Sequence, residues 1–380
     1  MGFHSVAKLY LYLTHSTMIY SLGCDLAKDD FQVCLLRYVL DEQTCQVVAR
    51  KSFKNSRSGF KAFIRWTSRH STGQPAPIRC TMEATGVYYE PLALYLADHH
   101  PEMHLSVVLP SSAKKYNASR GLRSKTDKID AYGLALMGAE RRLPAWGGID
   151  RFWRTLRGLT RTRASLQKQI TELNNQLHAH HHSGIQLPEV QQSLKRLIRQ
   201  LRAEVTHLEE LIRQHLAGKP EYAYQIACLD SIPGVGLLTI AVILAETMGF
   251  EAFCSRSQLI SFSGYDVLIQ ESGKWVGQPK ISKQGSHYIR QAMYMPASAV
   301  VRSRKGPVWG LYQRLLSRHG VKMKAHVAVQ KKLLSYMYFL WKKGEIYDPE
   351  KIVATQVLHQ EKAAPPKGGA TVDTSQALTL

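Results

Sequence analysis

The sequence lacks paired cysteines, long apolar runs and an excess of acidic residues. Its six cysteines are scattered without a C-x-x-C pair, which excludes a zinc ribbon and a disulfide framework and fits a reducing cytosol. Lys8 and His15 interrupt the apolar stretch of residues 6–20, so it predicts neither a signal peptide nor a membrane span. We expect residues 1–17 to be a non-native extension from an upstream start, with the native chain beginning at Met18.

Acidic residues are scarce, because 29 Asp and Glu stand against 50 Lys and Arg, for a formal net charge of +21. Clustered cations release counterions from phosphate backbones, so this charge favours a nucleic-acid partner. An anionic membrane is the competing partner, but no long basic amphipathic helix ends in lipid-facing aromatic residues. The 380 residues, 44% of them hydrophobic, suffice for two or three cores.

Residues 18–145 predict an α/β domain. The apolar run IYSLGCDLA (19–27) precedes two β-branched runs joined by the polar segment LDEQT, which indicates a hairpin beside a buried strand. Helical and strand patterns then alternate to give the order β-β-β-α-β-α-β-α. This order predicts a sandwich of helices on a mixed sheet.

The rest of the chain predicts helices. Residues 151–182 and 188–217 carry Leu and Ile near helical spacing on both sides of a short polar turn. We interpret residues 150–218 as an antiparallel coiled-coil hairpin used for self-association. Residues 226–345 predict a mainly α domain, and the Pro- and Gly-rich segment 346–380 predicts a disordered tail.

Four carboxylates are candidates for a metal site. Asp25 and Glu83 each end a predicted strand, and Asp127 and Asp130 lie three residues apart on one helix face. In such a sandwich they can converge, and four carboxylates are the oxygen ligands that two Mg²⁺ ions need at a phosphoryl displacement. The alternatives are ordinary, since a strand-end Asp often caps a helix and an acidic pair is usually a solvated face.

The acidic pair lies in a basic stretch. Between Lys114 and Arg163 the chain holds 13 Lys and Arg but 4 acidic residues, and Arg123 and Lys125 adjoin the pair. Helical spacing in the next segment forms a cationic stripe of Arg151, Arg154, Arg157 and Arg161. The stripe predicts phosphate contacts, with a solubilising surface as the alternative.

Two shorter motifs leave a functional and a structural role open. The IPGVG turn, with Gly234 and Gly236, is similar to a helix-hairpin-helix turn whose backbone N–H groups approach phosphate, and an ordinary helix–helix turn is the alternative. His178 and His182 have the spacing of metal ligands, but no Cys or acidic residue adjoins them. That absence favours a solvated hairpin tip.

The segment QESGKWVGQPKISKQG (270–285) places Ser272 among glycines and three cations, Lys274, Lys280 and Lys283. A serine hydroxyl needs a base or a metal ion to become a good nucleophile. No His or Asp follows Ser272 within a few positions. The segment alone leaves open whether Ser272 is a turn residue or a nucleophile.

Five motifs stand in a fixed order along residues 18–345: LGCDLAKDDFQV, MEATGVYYEPLALYL, VVLPSSAKKYNASRGLRSKTDKIDAYGLALMG, LDSIPGVGLLTIAVILAE and ESGKWVGQPKISKQGSHYIRQAMYMPA. On these motifs the chain resembles the Piv-type DEDD transposases of insertion sequences. The resemblance implies an RNase H-like (RuvC-like) α/β domain at residues 18–145, a coiled-coil hairpin at 150–218 and a mainly α transposase domain at 226–345.

The resemblance also implies roles for residues. The Mg²⁺-binding DEDD tetrad would be Asp25, Glu83, Asp127 and Asp130. Ser272 would be the nucleophile that becomes linked to DNA as a phosphoserine. Lys283, Gly285 and Arg290 match the accompanying SK-G----R pattern and would hold phosphate, and Lys274 would offset transition-state charge.

The implied partners are donor and target DNA, a non-coding bridge RNA and further copies of the chain as dimers or tetramers, in the bacterial cytoplasm at the nucleoid, with no membrane partner. Two alternatives are open. A metal-dependent Holliday-junction-type endonuclease would use the same four carboxylates, leave free DNA ends and use Ser272 only structurally. A binding protein without catalysis would bind nucleic acid and cleave none.

Overall fold

The computed structural model describes residues 18–350, except 72–75, 123–125, 186, 252, 270, 273–274 and 278–279, and of residues 275–276 it describes the backbone alone. The chain divides into two compact units, residues 1–149 and 150–380. The predicted extension 1–17 and most of the predicted tail, 351–380, lie outside the described residues. None of the described helices has an apolar stretch long enough to cross a bilayer.

A five-stranded mixed sheet forms the centre of the first unit. Its strands are β1 (Met18–Leu26), β2 (Asp30–Val39), β3 (Thr44–Lys54), β4 (Ile78–Glu83) and β5 (His104–Val108). The order is β3-β2-β1-β4-β5, with β1, β2 and β3 antiparallel and β4 and β5 parallel to β1. The mixed α/β architecture predicted from the sequence is confirmed.

Helices pack on both faces of this sheet. They are α1 (Arg57–His70), α2 (Glu90–His99), α3 (Pro110–Ser119) and α4 (Asp127–Glu140). On one face Phe31 and Phe53 of the sheet pack with Phe60 and Phe63 of α1, and on the other face α4 lies across β1, β2 and β4. Helix α3 is not predicted from the sequence, because its mostly polar residues hide the helical period, although Pro110 suits a first helical turn.

The second unit begins with the predicted hairpin of α5 (Arg151–His181) and α6 (Pro188–Ala217). Arg163 near the start of α5 binds Glu209 near the end of α6, so the two helices are antiparallel. Their apolar seam includes Ile170, Ile198 and Val205. At the base of the hairpin, Trp153, Leu156, Ile212 and Leu216 share one core with the helices that follow.

The following described helices are α7 (Ala223–Asp230), α8 (Leu237–Thr247), α9 (Arg256–Phe262), α10 (His287–Ala292), α11 (Tyr294–Ser303), α12 (Gly306–His319) and α13 (Lys322–Lys343). Between α9 and α10 run four two-residue strands, β6 (Val267–Leu268), β7 (Glu271–Ser272), β8 (Trp275–Val276) and β9 (Lys280–Ile281). β6 pairs with β9 and β7 with β8, both antiparallel. Helices therefore dominate this unit, as the sequence predicts.

Candidate functional site

Asp25 and Glu83 occupy equivalent ends of adjacent strands. In the parallel register of β1 and β4, the last pair is Cys24 with Met82, and both side chains are buried in the core on the α1 side of the sheet. Side chains alternate between the faces of a strand. Asp25 and Glu83 therefore follow on the opposite face, which α4 covers.

The direction of α4 is set by small residues of β1. The Ser21 hydroxyl donates a 2.6 Å hydrogen bond to the carbonyl of Ala135. One step along this face, a Cβ at Gly23 would overlap the carbonyl oxygen of Ala131. The residue numbers of the contacts decrease along α4 as they increase along β1, so the helix runs antiparallel to the strand. The first turn of α4 therefore lies at the end of β1 that carries Asp25.

Asp127 and Asp130 lie in that first turn of α4. The Thr126 hydroxyl caps the helix by accepting a 3.3 Å hydrogen bond from the backbone N–H of Ile129, and carboxylates are favoured at this positive end of the helix dipole. Asp130 accepts a 3.3 Å hydrogen bond from the side-chain amide of Asn117 on α3. The topology thus brings all four predicted carboxylates to one edge of the sandwich.

The four carboxylates offer only oxygen ligands, the type that hard divalent cations prefer. All four belong to the described residues, but in that part of the chain no three Asp, Glu, His or Cys side chains are close enough to share one ion. Glu83 instead accepts a 2.6 Å hydrogen bond from the hydroxyl of Thr85. The chemistry of this donor set fits a divalent cation, and the side chains must reorient to enclose one.

Ser272 ends β7 and pairs with Trp275 of β8, with residues 273–274 between them. Its side chain is exposed, and its hydroxyl forms no hydrogen bond to any residue whose side chain the structure describes. The predicted loop is therefore a short hairpin that presents Ser272 to solvent. An exposed hydroxyl is accessible to a phosphodiester.

Lys283 and Gly285 shape the segment that follows. Lys283 has a φ of 55°, and its N–H donates a 3.1 Å hydrogen bond to the carbonyl of Gly264. Gly285 has a φ of 154°, and a Cβ there would overlap the carbonyl of Phe262. A lysine at positive φ is strained, and such strain is frequent at functional sites. Lys283 keeps an exposed side chain, so its phosphate role stays a prediction.

Arg290 binds backbone carbonyls of the segment that it adjoins. Its Nη1 donates to the carbonyl of Ser263 over 2.8 Å and to the carbonyls of Gly285 and Ser286 over 3.3 Å each. A guanidinium bound to three carbonyls holds the backbone of this segment in place. All three contacts use Nη1, and phosphate binding by Arg290 stays a prediction.

The glycine turn before α8 divides into two kinds of position. Gly234 has a φ of 81°, and a Cβ there would lie 2.9 Å from the Cβ of Ala299 on α11, so packing alone accounts for this glycine. Gly236 caps α8, is exposed and has open space around it. The phosphate contact predicted for this turn stays a prediction, carried by Gly236.

Two arginines of the predicted stripe on α5 contact residues of α8. Arg157 donates from Nε to the carbonyl of Ala245 over 3.0 Å, and Arg161 binds Glu246 through Nε and Nη2 over 2.8 and 3.1 Å. Both side chains fasten the hairpin to α8. These contacts give both side chains partners within the protein, and phosphate contact stays a prediction for all four arginines of the stripe.

A cationic face on α6 is not predicted from the sequence, because the apolar spacing of this helix indicates self-association alone. Four exposed cations lie there at intervals of one, three and three residues, and none forms an ion pair with a described residue: Lys195, Arg196, Arg199 and Arg202. The signal in the sequence is the absence of acidic residues between Val190 and Ala203. This face is a candidate for phosphate contacts.

Three predicted nucleic-acid contacts lie outside the residues or side chains that the structure describes: Arg123, Lys125 and Lys274.

At the exposed tip of the hairpin, the rings of His178 and His182 are 4.4 Å apart. No group of three potential ligands exists among the described residues there. Both side chains are exposed, and a solvated tip stays the interpretation that the sequence favours.

Comparison with known proteins gives two family matches. Residues 22–183 match a family described as Transposase, of the DEDD IS110 type, and residues 226–313 match the Transposase IS116/IS110/IS902 family. The chain is 27% identical over 336 residues to the pilin gene-inverting protein of Moraxella lacunata. This match covers 86% of the chain and 97% of that protein. The protein of the same name from Moraxella bovis matches to the same extent.

Proposed function

Because this chain belongs to the IS110 family of DEDD transposases, we propose that it cuts and rejoins DNA through a covalent phosphoserine at Ser272. The chain is a transposase and DNA recombinase. The observation that carries the proposal is the exposed hydroxyl of Ser272, at the end of β7 and within the second family match. The tetrad lies within the first match.

In the proposed step, the Ser272 oxygen forms a bond to the phosphorus of a DNA phosphodiester while the bond from phosphorus to one deoxyribose oxygen breaks. The serine proton passes to a base, and the departing oxygen takes up a proton to become a free hydroxyl end. Attack of a hydroxyl end on the phosphoserine reverses these changes. Strands are thereby exchanged and rejoined without ATP, which attack by water does not allow.

The DEDD domain implies dependence on a divalent metal ion. We assign two Mg²⁺ ions to an RNase H-like first unit, held by Asp25, Glu83, Asp127 and Asp130. Bound there, the ions would activate the attacking oxygen and stabilise the leaving one. The cationic side chains of Lys274, Lys280 and Lys283, which are close to Ser272 in the sequence, would offset charge that develops on the phosphorus oxygens.

The same proposal includes the partners. A non-coding bridge RNA would select donor and target DNA by base pairing, so that the protein itself need recognise only shape and phosphate backbone, as in other RNA-guided systems. The net charge of +21 and the exposed cations of α6 support contact with several nucleic-acid strands. The hairpin of α5 and α6 would join copies of the chain into dimers and tetramers.

A trapping assay tests the phosphoserine. The purified protein is incubated with Mg²⁺, the RNA transcribed beside its gene and end-labelled donor and target DNA, and the products are separated on denaturing gels. We expect label to migrate with the protein, and Ser272→Ala to abolish this adduct. Ser257→Ala, at an exposed serine of α9, is the matched control and should leave the adduct unchanged.

The carboxylates are tested in the same assay. Asp127→Asn should remove both cleavage and adduct, whereas Asp98→Asn, at an exposed position of α2, should remove neither. Free DNA ends without an adduct, unaffected by Ser272→Ala but lost in Asp127→Asn, would show that the protein acts as the endonuclease and not as the recombinase.

The role of the RNA is tested by leaving it out of the reaction. Omitting the RNA should abolish recombination, and recombination at full rate without it would refute RNA guidance.

A further inference from the structure

A cavity of about 290 Å³ lies at the base of the hairpin, within the second unit. α5 forms one wall with Arg161, Ala164 and Gln167, and α8 and α10 form the others. Neither the four carboxylates nor Ser272 contributes to it. The volume is at the lower end of the range for small-molecule pockets, which suits one planar ring system.

One side of this cavity is a preorganised guanidinium. Glu246 fixes the plane of Arg161 through two hydrogen bonds along its edge, and the guanidinium carbon lies over the Tyr288 ring, 4.6 Å from the centroid. The Glu246 side chain is 3% exposed, whereas that of Arg161 is 45% exposed. An arginine held by its edge and backed by an aromatic ring is a platform on which a flat ring can stack.

The charge of the cavity argues against a phosphate ligand. Two arginines line it, and each is neutralised by a carboxylate, Arg161 by Glu246 and Arg163 by Glu209. The Ser286 hydroxyl also donates to Glu246 over 3.0 Å. Little net positive charge is left to attract an anion, so the cavity suits a neutral ligand.

The remaining walls combine apolar surface with free amides. Leu238, Val242 and Met295 supply aliphatic surface. Gln167 and Gln291 also line the cavity, and their side-chain amides form no hydrogen bond to any described residue. Each amide can donate and accept. A flat neutral ring with hydrogen-bonding edges matches these walls.

We propose that the cavity binds one unpaired nucleobase, which stacks on Arg161 while its edge meets the amides of Gln167 and Gln291. The inference rests on the proposed function only in taking a nucleic-acid strand as the ligand. Exposed cations on α6 of the same hairpin are available for phosphates further along such a strand. The source of the base is a single strand of either RNA or DNA, and the test separates the two.

The test fills the cavity and measures binding directly. Ala164→Trp adds a ring on the α5 wall without altering the Arg161–Glu246 pair, and Ala179→Trp adds the same bulk at an exposed position of the same helix. Each protein is titrated with RNA or DNA single strands that carry one 2-aminopurine, and with a fully paired DNA duplex. We expect wild type and Ala179→Trp to quench the 2-aminopurine and Ala164→Trp not to.

Affinity of Ala164→Trp for the single strands should fall about five- to hundredfold, the range for loss of one stacked base, with duplex affinity unchanged. The double variant Gln167→Ala/Gln291→Ala, at two exposed positions, should also bind single strands more weakly, and it decides the case if Ala164→Trp does not fold. An effect confined to RNA or to DNA supports the proposal and identifies the strand.

Equal single-strand affinity and equal quenching in Ala164→Trp and Ala179→Trp would overturn the nucleobase site while leaving the proposed recombinase intact. A wild-type protein that binds neither single strands nor duplex would overturn the proposed function as well. The two failures are therefore distinct.

Discussion

Gly23 of β1 lies directly against the carbonyl of Ala131 in α4, with no room between them for even a Cβ. This contact brings the helix that carries Asp127 and Asp130 close to the strand that carries Asp25. A helix can approach a sheet so closely only where the strand residue lacks a side chain. The position of the carboxylates therefore depends on a residue that takes no part in chemistry.

Replacing Gly23 with Ala should lower the free energy of unfolding by about 1–3 kcal/mol, because the methyl group overlaps backbone atoms that cannot move independently. It should also reduce DNA cleavage under conditions where the variant is fully folded, since α4 must shift. Urea denaturation and the trapping assay measure the two effects.

Gly158→Ala is the matched control for Gly23→Ala, because a Cβ at Gly158 meets nothing within 4 Å. This change should stabilise α5 by about 0.5–1 kcal/mol. Equal stabilities of Gly23→Ala and wild type would refute this account.

The sequence predicts those parts of the structure that depend on local patterns. The β-branched runs around LDEQT and the leucine spacing of residues 151–217 predict β1 to β3 and the long hairpin, because turn residues and periodicity lie within one segment. The pairing of Arg161 with Glu246 could not be predicted, since the two residues are 85 positions apart in the chain. The spacing of the stripe describes one helix and contains no information about what packs against it. Likewise α3 has too few apolar residues to show a period.

The ion pair of Arg161 with Glu246 should stabilise the base of the hairpin. Glu246→Gln removes the charge but keeps the shape, and we expect it to lower the free energy of unfolding by about 1–3 kcal/mol, the range for hydrogen bonds to charged groups. Half exposure of Arg161 keeps the loss below that of a fully buried pair.

Glu172→Gln is the matched control for this ion pair. Its partner Lys168 is 3.7 Å away, and both side chains are largely exposed, so the loss should be under about 0.5 kcal/mol. Denaturation in low and high salt separates the two, because salt screens the exposed pair more than the buried one. Similar losses for Glu246→Gln and Glu172→Gln would contradict a special role for Glu246.

His326 should make stability depend on pH. Its Nδ1 accepts a 2.9 Å hydrogen bond from the side-chain amide of Gln330, whose oxygen accepts one of 2.7 Å from the Tyr265 hydroxyl. Burial lowers the pKa of His326. The unfolded chain therefore binds a proton more readily than the folded one as pH falls below about 6.5, the usual value. The contribution of neutral His326 to stability is fully present above that pH and is lost as the pH falls toward the folded-state pKa.

Unfolding free energies between pH 5 and 8 measure this effect (about the range in which histidine titrates). His326→Gln should flatten the acid side of the stability curve relative to wild type. His319→Gln, at an exposed histidine that ends α12, controls for the loss of an imidazole and should leave the curve unchanged. If the free energy of unfolding of His326→Gln still falls with pH as in wild type, the pH dependence arises from other groups.

Lys283 combines backbone strain with a proposed role at phosphate, and the two can be separated. Its φ of 55° is costly for lysine and not for glycine, so Lys283→Gly should raise the free energy of unfolding by about 0.5–1 kcal/mol. The same change removes the ammonium group proposed to offset charge at the phosphorus, so strand exchange and adduct formation should fall.

Arg304→Gly is the matched control for Lys283→Gly, because Arg304 has a φ of 53° at the end of α11 and lies outside the proposed site. It should gain similar stability at unchanged activity. A variant Lys283→Gly that is more stable and equally active would show that the strain at this position serves the fold of the segment alone, and that the cation takes no part in the transfer.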